Sequence, residues 1–117
     1  MPHSPVDYLR HILEEANYLV GDSRAISKDQ FLEDETRKRA YARSIEIIGE
    51  AAKKLSDDVR DRAPQIEWSR MAGMRDRVIH DYFGVDYDIV WLVAIQKAPE
   101  LVSVLPPIIE ALEEADG

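Results

Sequence analysis

The sequence predicts an all-α protein, an antiparallel bundle of long amphipathic helices, on three observations. Apolar residues recur at spacings of three and four over long stretches, several stretches open on a recognisable cap, and five glycines in 117 residues leave little material for turns. No run alternates β-branched with polar residues, and no hairpin dipeptide joins two such runs. Short connections between long helices make an antiparallel arrangement the natural way to bury their apolar faces.

Ser4-Pro5 supplies an N-cap and a proline at the first helical position, opening a helix expected to reach about Val20. Leu9, Ile12, Leu13, Ala16 and Leu19 or Val20 form its apolar face, and Gly21 is expected to stop it. Ser27-Lys28-Asp29-Gln30 reads as a capping box, with Gln30 reaching back to the Ser27 amide. The helix it opens is expected to run unbroken to about Leu55. Tyr41, Ile45, Ile48, Ala52 and Leu55 line its buried face, Ser44, Ile47 and Ala51 widen it, and Arg39, Arg43, Glu46 and Glu50 form the opposite ridge. Gly49 costs about 1 kcal/mol against alanine inside a helix, which points to close backbone packing there.

Residues 56–66 form a charged connector with room for one helical turn, broken near Pro64. A third long helix is expected from about Glu67 to Tyr82, ended by Phe83-Gly84-Val85, with Asp86 capping the next. The last region is apolar at Ile89, Val90, Leu92, Val93, Leu101, Val104 and Leu105, and Pro99 and Pro106-Pro107 are expected to break or kink it. There is no internal repeat, and residues 1–117 read as a single domain, long enough to bury one core.

Composition bounds the function. Cysteine is absent, which excludes disulfides and thiolate metal sites. No apolar run approaches the roughly 20 residues that span a bilayer, and the N-terminus lacks the order of a secretory signal. A cytoplasmic protein without a membrane partner is expected. The net charge of −8 disfavours strong nonspecific binding to nucleic acid. Its distribution is uneven, however. Residues 37–77 hold eleven Lys/Arg against seven Asp/Glu, whereas the rest of the chain holds four against sixteen.

At the end of that basic middle, Met71 to Tyr82 gathers Arg75, Asp76, Arg77, His80 and Tyr82. At 100° per residue, Trp68, Met71, Ala72, Arg75, Val78, Ile79 and Tyr82 share one face, with Arg75 near its middle. A charge in an apolar stripe needs an anionic partner, either a carboxylate such as Glu46 or Glu50 or a substrate phosphate. On an ideal helix Asp76 and His80 face the same way, whereas Arg75 lies about 140° from His80. A second copy of the helix across a dimer interface could bring them together. Arginine, histidine and a carboxylate suit metal-free cleavage of a phosphodiester. Histidine shuttles a proton near neutral pH, arginine holds phosphate bidentately, and Asp76 can orient the imidazole. RNA supplies its own nucleophile, the 2′-hydroxyl. Arg39, Arg43, Arg70 and Arg77 are candidates for contacting RNA, and no metal or cofactor is called for. By residue type alone, an ordinary helix salt bridge and solvated arginines explain the same positions. Trp68, Met71 and Met74 read as packing.

The spacing Arg75-x4-His80-x-Tyr82 resembles the R-x4-H-x-Y signature of HepT-like toxins in the HEPN ribonuclease superfamily. Similar segments surround it: Ile47 to Leu55, Trp68 before Met71 to Arg75, Asp81 to Asp86, and Val90-Trp91. The resemblance implies a homodimeric α-bundle that brings two motifs to one cleft. It implies a metal-independent endoribonuclease, the toxin of a type VII-like toxin–antitoxin pair, acting on mRNA or tRNA. Arg75 and His80 would be catalytic, with Asp76 in the polar position after the arginine. A small MntA-like nucleotidyltransferase antitoxin would transfer AMP to Tyr82. Two other readings stand beside it. One is a non-catalytic HEPN-type module that binds nucleotide or a nucleotidyltransferase, and the other is a dimeric helical scaffold.

Overall fold

A computed structural model describes residues 3–81 and 84–116, with the backbone alone at residues 75, 77–81 and 116. Helix α1 (Pro5–Ser23) begins as expected. The Asp7 amide donates to Ser4 Oγ at 3.3 Å and the Ser4 amide to Asp7 Oδ2 at 3.1 Å, a complete capping box. It does not stop at Gly21. Val20 and Ser23 are buried, so packing of the last turn offsets the cost of one glycine.

The predicted long second helix is two. Helix α2 (Lys28–Glu33) opens on the Ser27–Gln30 box, and α3 (Glu35–Lys53) restarts at once. Between them Asp34 adopts an extended backbone and accepts the Arg37 amide at 3.0 Å. An aspartate prefers this capping geometry to a helix interior. Phe31 anchors α2, buried against Tyr41 and Trp91 with ring centroids 4.6 and 5.3 Å away. The expected buried face of α3 is confirmed at Tyr41, Ser44, Ile45, Ile48, Ala51 and Ala52.

The connector holds one helical turn, α4 (Asp57–Arg60), capped by Ser56. Helix α5 (Trp68–Val78) follows and is shorter than predicted. The chain leaves it for strand β1 (Ile79–Asp81), paired antiparallel with β2 (Gly84–Val85). The β-branched pair Val78-Ile79 favours extended backbone, and the partner strand rewards it. Strands β1 and β2 are the only strands among the described residues.

Asp86 caps α6 (Tyr87–Leu92) through the Ile89 amide at 3.2 Å, as predicted. A π-helical turn (Val93–Lys97) leads directly into α7 (Ala98–Asp116). The prolines do not break this stretch. Pro99 enters in the first turn of α7, where a missing amide costs least, and the π turn ahead of it shifts the hydrogen-bond register. Pro106 and Pro107 are exposed, and the carbonyls one turn earlier belong to Val102 and Ser103, near solvent.

Helix α1 packs against both α3 and α7, and α3 against α5, around one core from Val6 to Ile109. By length and composition the stretch Tyr87–Ala115 could cross a bilayer, with a mean hydropathy of 1.4, contrary to the sequence expectation. Here Val90, Val93, Ala94, Ala98, Leu101, Leu105 and Ile109 place that apolarity in the protein core.

Candidate active site

The motif straddles the end of α5. Arg75 and Asp76 belong to the helix, and Asp76 is exposed. His80 belongs to β1, two residues past the helix end. This corrects the helical-wheel geometry. Neither the 140° separation of Arg75 from His80 nor the same-face relation of Asp76 to His80 applies, because His80 is not helical. Expectations for the side chains of Arg75, Arg77 and His80, and for Tyr82, fall outside the described residues.

What positions α5 is well defined. Trp68 and Met71 are buried and Met74 packs against the core, as their spacing predicted. The Trp68 indole N–H is shared between the carbonyl oxygens of Arg60 at 3.0 Å and Ala63 at 3.1 Å. Arg60 in turn donates through Nη2 to the Ala52 carbonyl of α3 at 2.8 Å. Gly49 of α3 faces the backbone of Met71 and Ala72. The motif-bearing helix is thus tied to α3 at two levels.

The arginines proposed to contact RNA divide. Arg39 and Arg43 are exposed on α3, where Arg43 meets Glu46 at 3.4 Å. Arg70, on the first turn of α5, is exposed and meets Glu67 at 3.2 Å. Such solvated pairs hold little energy, so each guanidinium can turn to a phosphate at small cost. Glu50 pairs with Lys53 at 3.6 Å, so both carboxylates considered as Arg75 partners have local cations.

A cavity of about 120 Å³ lies between α5 and α7, lined by Ile66, Met71, Met74, Lys97 and Leu101 among others. It is well below the about 300 Å³ at which ligand pockets begin, so it reads as loose packing.

Sequence reasoning missed a polar cluster that joins α1 to the α2–α3 junction. Asp22 Oδ2 accepts the Tyr41 hydroxyl at 2.6 Å and Arg37 Nε at 2.9 Å, and Arg37 Nη1 reaches Asp34 Oδ2 at 2.9 Å. Burial, then the Asp22 carboxylate, pushes the Tyr41 hydroxyl far above its usual pKa, so it remains a donor. No local spacing signals contacts this far apart in sequence. The cluster fixes the chain where the predicted long helix divides.

The family model for HepT-like ribonucleases matches residues 7–108. "Putative RNase TTE0752" of Caldanaerobacter subterraneus subsp. tengcongensis is 44% identical over 98 residues, covering 84% of this chain and 88% of the relative. "Putative RNase MJ0127" of Methanocaldococcus jannaschii is 38% identical over 109 residues, covering 93% and 90%. "Probable ribonuclease HepT" of Thermococcus cleftensis is 40% identical over 101 residues, covering 86% and 92%. No solved structure matches the chain. A match across nearly the whole chain, with an all-α fold and the motif inside the matched span, identifies this chain as a member of the HepT-like ribonuclease family within the HEPN superfamily.

Proposed function

We propose that this chain is the toxin of a type VII-like toxin–antitoxin pair, a metal-independent endoribonuclease whose two copies form one catalytic cleft. Its membership among HepT-like ribonucleases makes RNA the substrate. The observation that carries the finer reading is the placement of Arg75 and His80 on two successive elements, α5 and β1. The helix that carries Arg75 is fixed by its packing on α3, and the strand that carries His80 by its pairing with β2. Residues 1–117 act as one domain in this reading, in the cytoplasm, where mRNA and tRNA are available.

Cleavage needs no nucleophile from the protein. The RNA 2′-oxygen attacks the adjacent phosphorus, its proton is lost, and the 5′-oxygen departs with a proton. Histidine can serve either proton transfer because it titrates near neutral pH. Arginine neutralises the charge that builds on the equatorial oxygens. Asp76, exposed on the last turns of α5, is proposed as the carboxylate that serves the imidazole. Arg39, Arg43, Arg70 and Arg77 guide the flanking phosphates. The products are a 2′,3′-cyclic phosphate and a 5′-hydroxyl.

Tyr82, two residues beyond His80, is the proposed acceptor of AMP from an MntA-like nucleotidyltransferase antitoxin. A bulky anion there would exclude RNA by sterics and repulsion. The test is expression in a bacterial host with and without such an enzyme. Wild type should arrest growth and yield RNA ends of the stated chemistry, and Arg75→Ala should do neither. Coexpression should relieve arrest and add AMP mass to wild type but not to Tyr82→Phe. Growth arrest by Arg75→Ala equal to wild type would overturn the assignment. RNA left intact by wild type would favour the non-catalytic module.

A further inference from the structure

One contact in the frame of α5 has no slack. At Gly49, in the last two turns of α3, a Cβ would lie 3.3 Å from the carbonyl oxygen of Met71 and 3.6 Å from that of Ala72. The Ala72 approach is ordinary van der Waals contact, but the Met71 one is tight, and because it is backbone no rotamer change relieves it. A methyl group at 49 would have to move one helix against the other by a few tenths of an ångström. In an α-helix the Met71 carbonyl is also the acceptor for the amide four residues on, which is that of Arg75. The surface that Gly49 touches is therefore the peptide group from which Arg75 is suspended.

We propose that Gly49 is a positioning residue for the ribonuclease reaction, setting the distance of α5 from α3 and through it the placement of Arg75. The inference rests on Arg75 being a catalytic group, as argued above. Alanine is the better helix former inside a helix, so the close approach of the Met71 carbonyl is what favours glycine at position 49. The other ties of α5, Trp68 to the Arg60 carbonyl and Arg60 to the Ala52 carbonyl, hold its first turn. Gly49 acts further along, beside the turn that leads to Arg75. Gly21 is the natural control. It is also helical, but a Cβ there meets nothing within 4 Å.

The experiment compares wild type, Gly21→Ala, Gly49→Ala and Gly49→Val by RNA-cleavage kinetics, thermal unfolding and methyl NMR of Met71 and Met74. Gly49→Ala should stay folded, because the gain in helix propensity offsets the close approach to the Met71 carbonyl. Its kcat should fall about five- to tenfold, scaled from the ~100-fold that a 1 Å misplacement costs. KM should change less than kcat, because Arg39 and Arg43 on α3 keep their places and only part of the proposed phosphate contact set rides on α5. Gly49→Val should lose more, and Gly21→Ala should match wild type in kcat. The Met71 and Met74 methyl resonances should shift in the Gly49 variants and remain unchanged in Gly21→Ala. Wild-type kcat in Gly49→Ala would overturn the proposal, as would a loss that only tracks the unfolded fraction. Should wild type cleave no RNA, the ribonuclease reading itself fails. The methyl spectra then still decide whether Gly49 sets α5, and unshifted Met71 and Met74 would refute it.

Discussion

Replacing Trp68 by phenylalanine removes one indole N–H and part of a ring from the point where α5 begins. The donor is shared between two carbonyls, and each keeps another partner. The Ala63 amide donates to Arg60 O at 3.0 Å and the Ile66 amide to Ala63 O at 3.1 Å. No acceptor is orphaned, so the hydrogen-bond loss stays near the ordinary net value of about 1 kcal/mol. Trp68 is 6% exposed, and the smaller ring leaves a void beside Arg60 and Ala63. Complete truncation of a buried aromatic costs about 3–5 kcal/mol, so this partial one adds about 1–2 kcal/mol. The sum is about 2–3 kcal/mol. At about 4 °C per kcal/mol for a chain of this size, Tm should fall by about 8–12 °C. Urea unfolding followed by far-UV circular dichroism measures the loss directly. A change under about 0.5 kcal/mol, the level of an ordinary surface substitution, would refute the role of Trp68 as the anchor of α5.

Two further outcomes follow from the cluster at the α2–α3 junction. Tyr41→Phe removes a hydroxyl that donates to Asp22 at 2.6 Å while leaving Arg37 on that carboxylate, and should cost about 1–2 kcal/mol in the same unfolding assay. Asp34 accepts the Arg37 amide and then its guanidinium, which holds its pKa below the usual 3.8. Its charged form therefore stabilises the fold above about pH 4, and that contribution is lost as pH falls through the depressed folded value. Asparagine caps helices as well as aspartate does, so the variant Asp34→Asn keeps the cap on α3 and isolates the charge. The stability gap between wild type and Asp34→Asn should close on acidification. A gap that is constant from pH 7 to strongly acidic conditions would contradict the linkage.

Three helix starts were legible because caps are local, whereas the Asp34 cap that opens α3 was not. Ser4, Ser27 and Asp86 each accept an amide three residues ahead, and all three were readable from residue type and spacing. Gly49 was legible for a related reason, since glycine inside a good helical pattern implies a close neighbour. Helix ends were not legible. The break at Asp34 carries neither glycine nor proline, and depends on Arg37 being drawn toward Asp22 from another helix. The run through Gly21 and past Pro106 depends on what is buried around those positions. The same holds at the site. Arg75, His80 and Tyr82 were found by their spacing, but the helix periodicity that seemed to orient them ends at Val78. The β1–β2 pairing that ends it is a contact between residues on either side of the motif's last positions.

Cleavage of RNA without a metal is the activity on which everything else depends. Purified protein whose intact mass shows no AMP would be incubated with total tRNA and mRNA in EDTA, beside His80→Ala. Cleavage by wild type, lost in His80→Ala by at least the ~100-fold of a typical general acid–base group, is the predicted result. Intact RNA with unmodified wild type, or equal cleavage by His80→Ala, would contradict it.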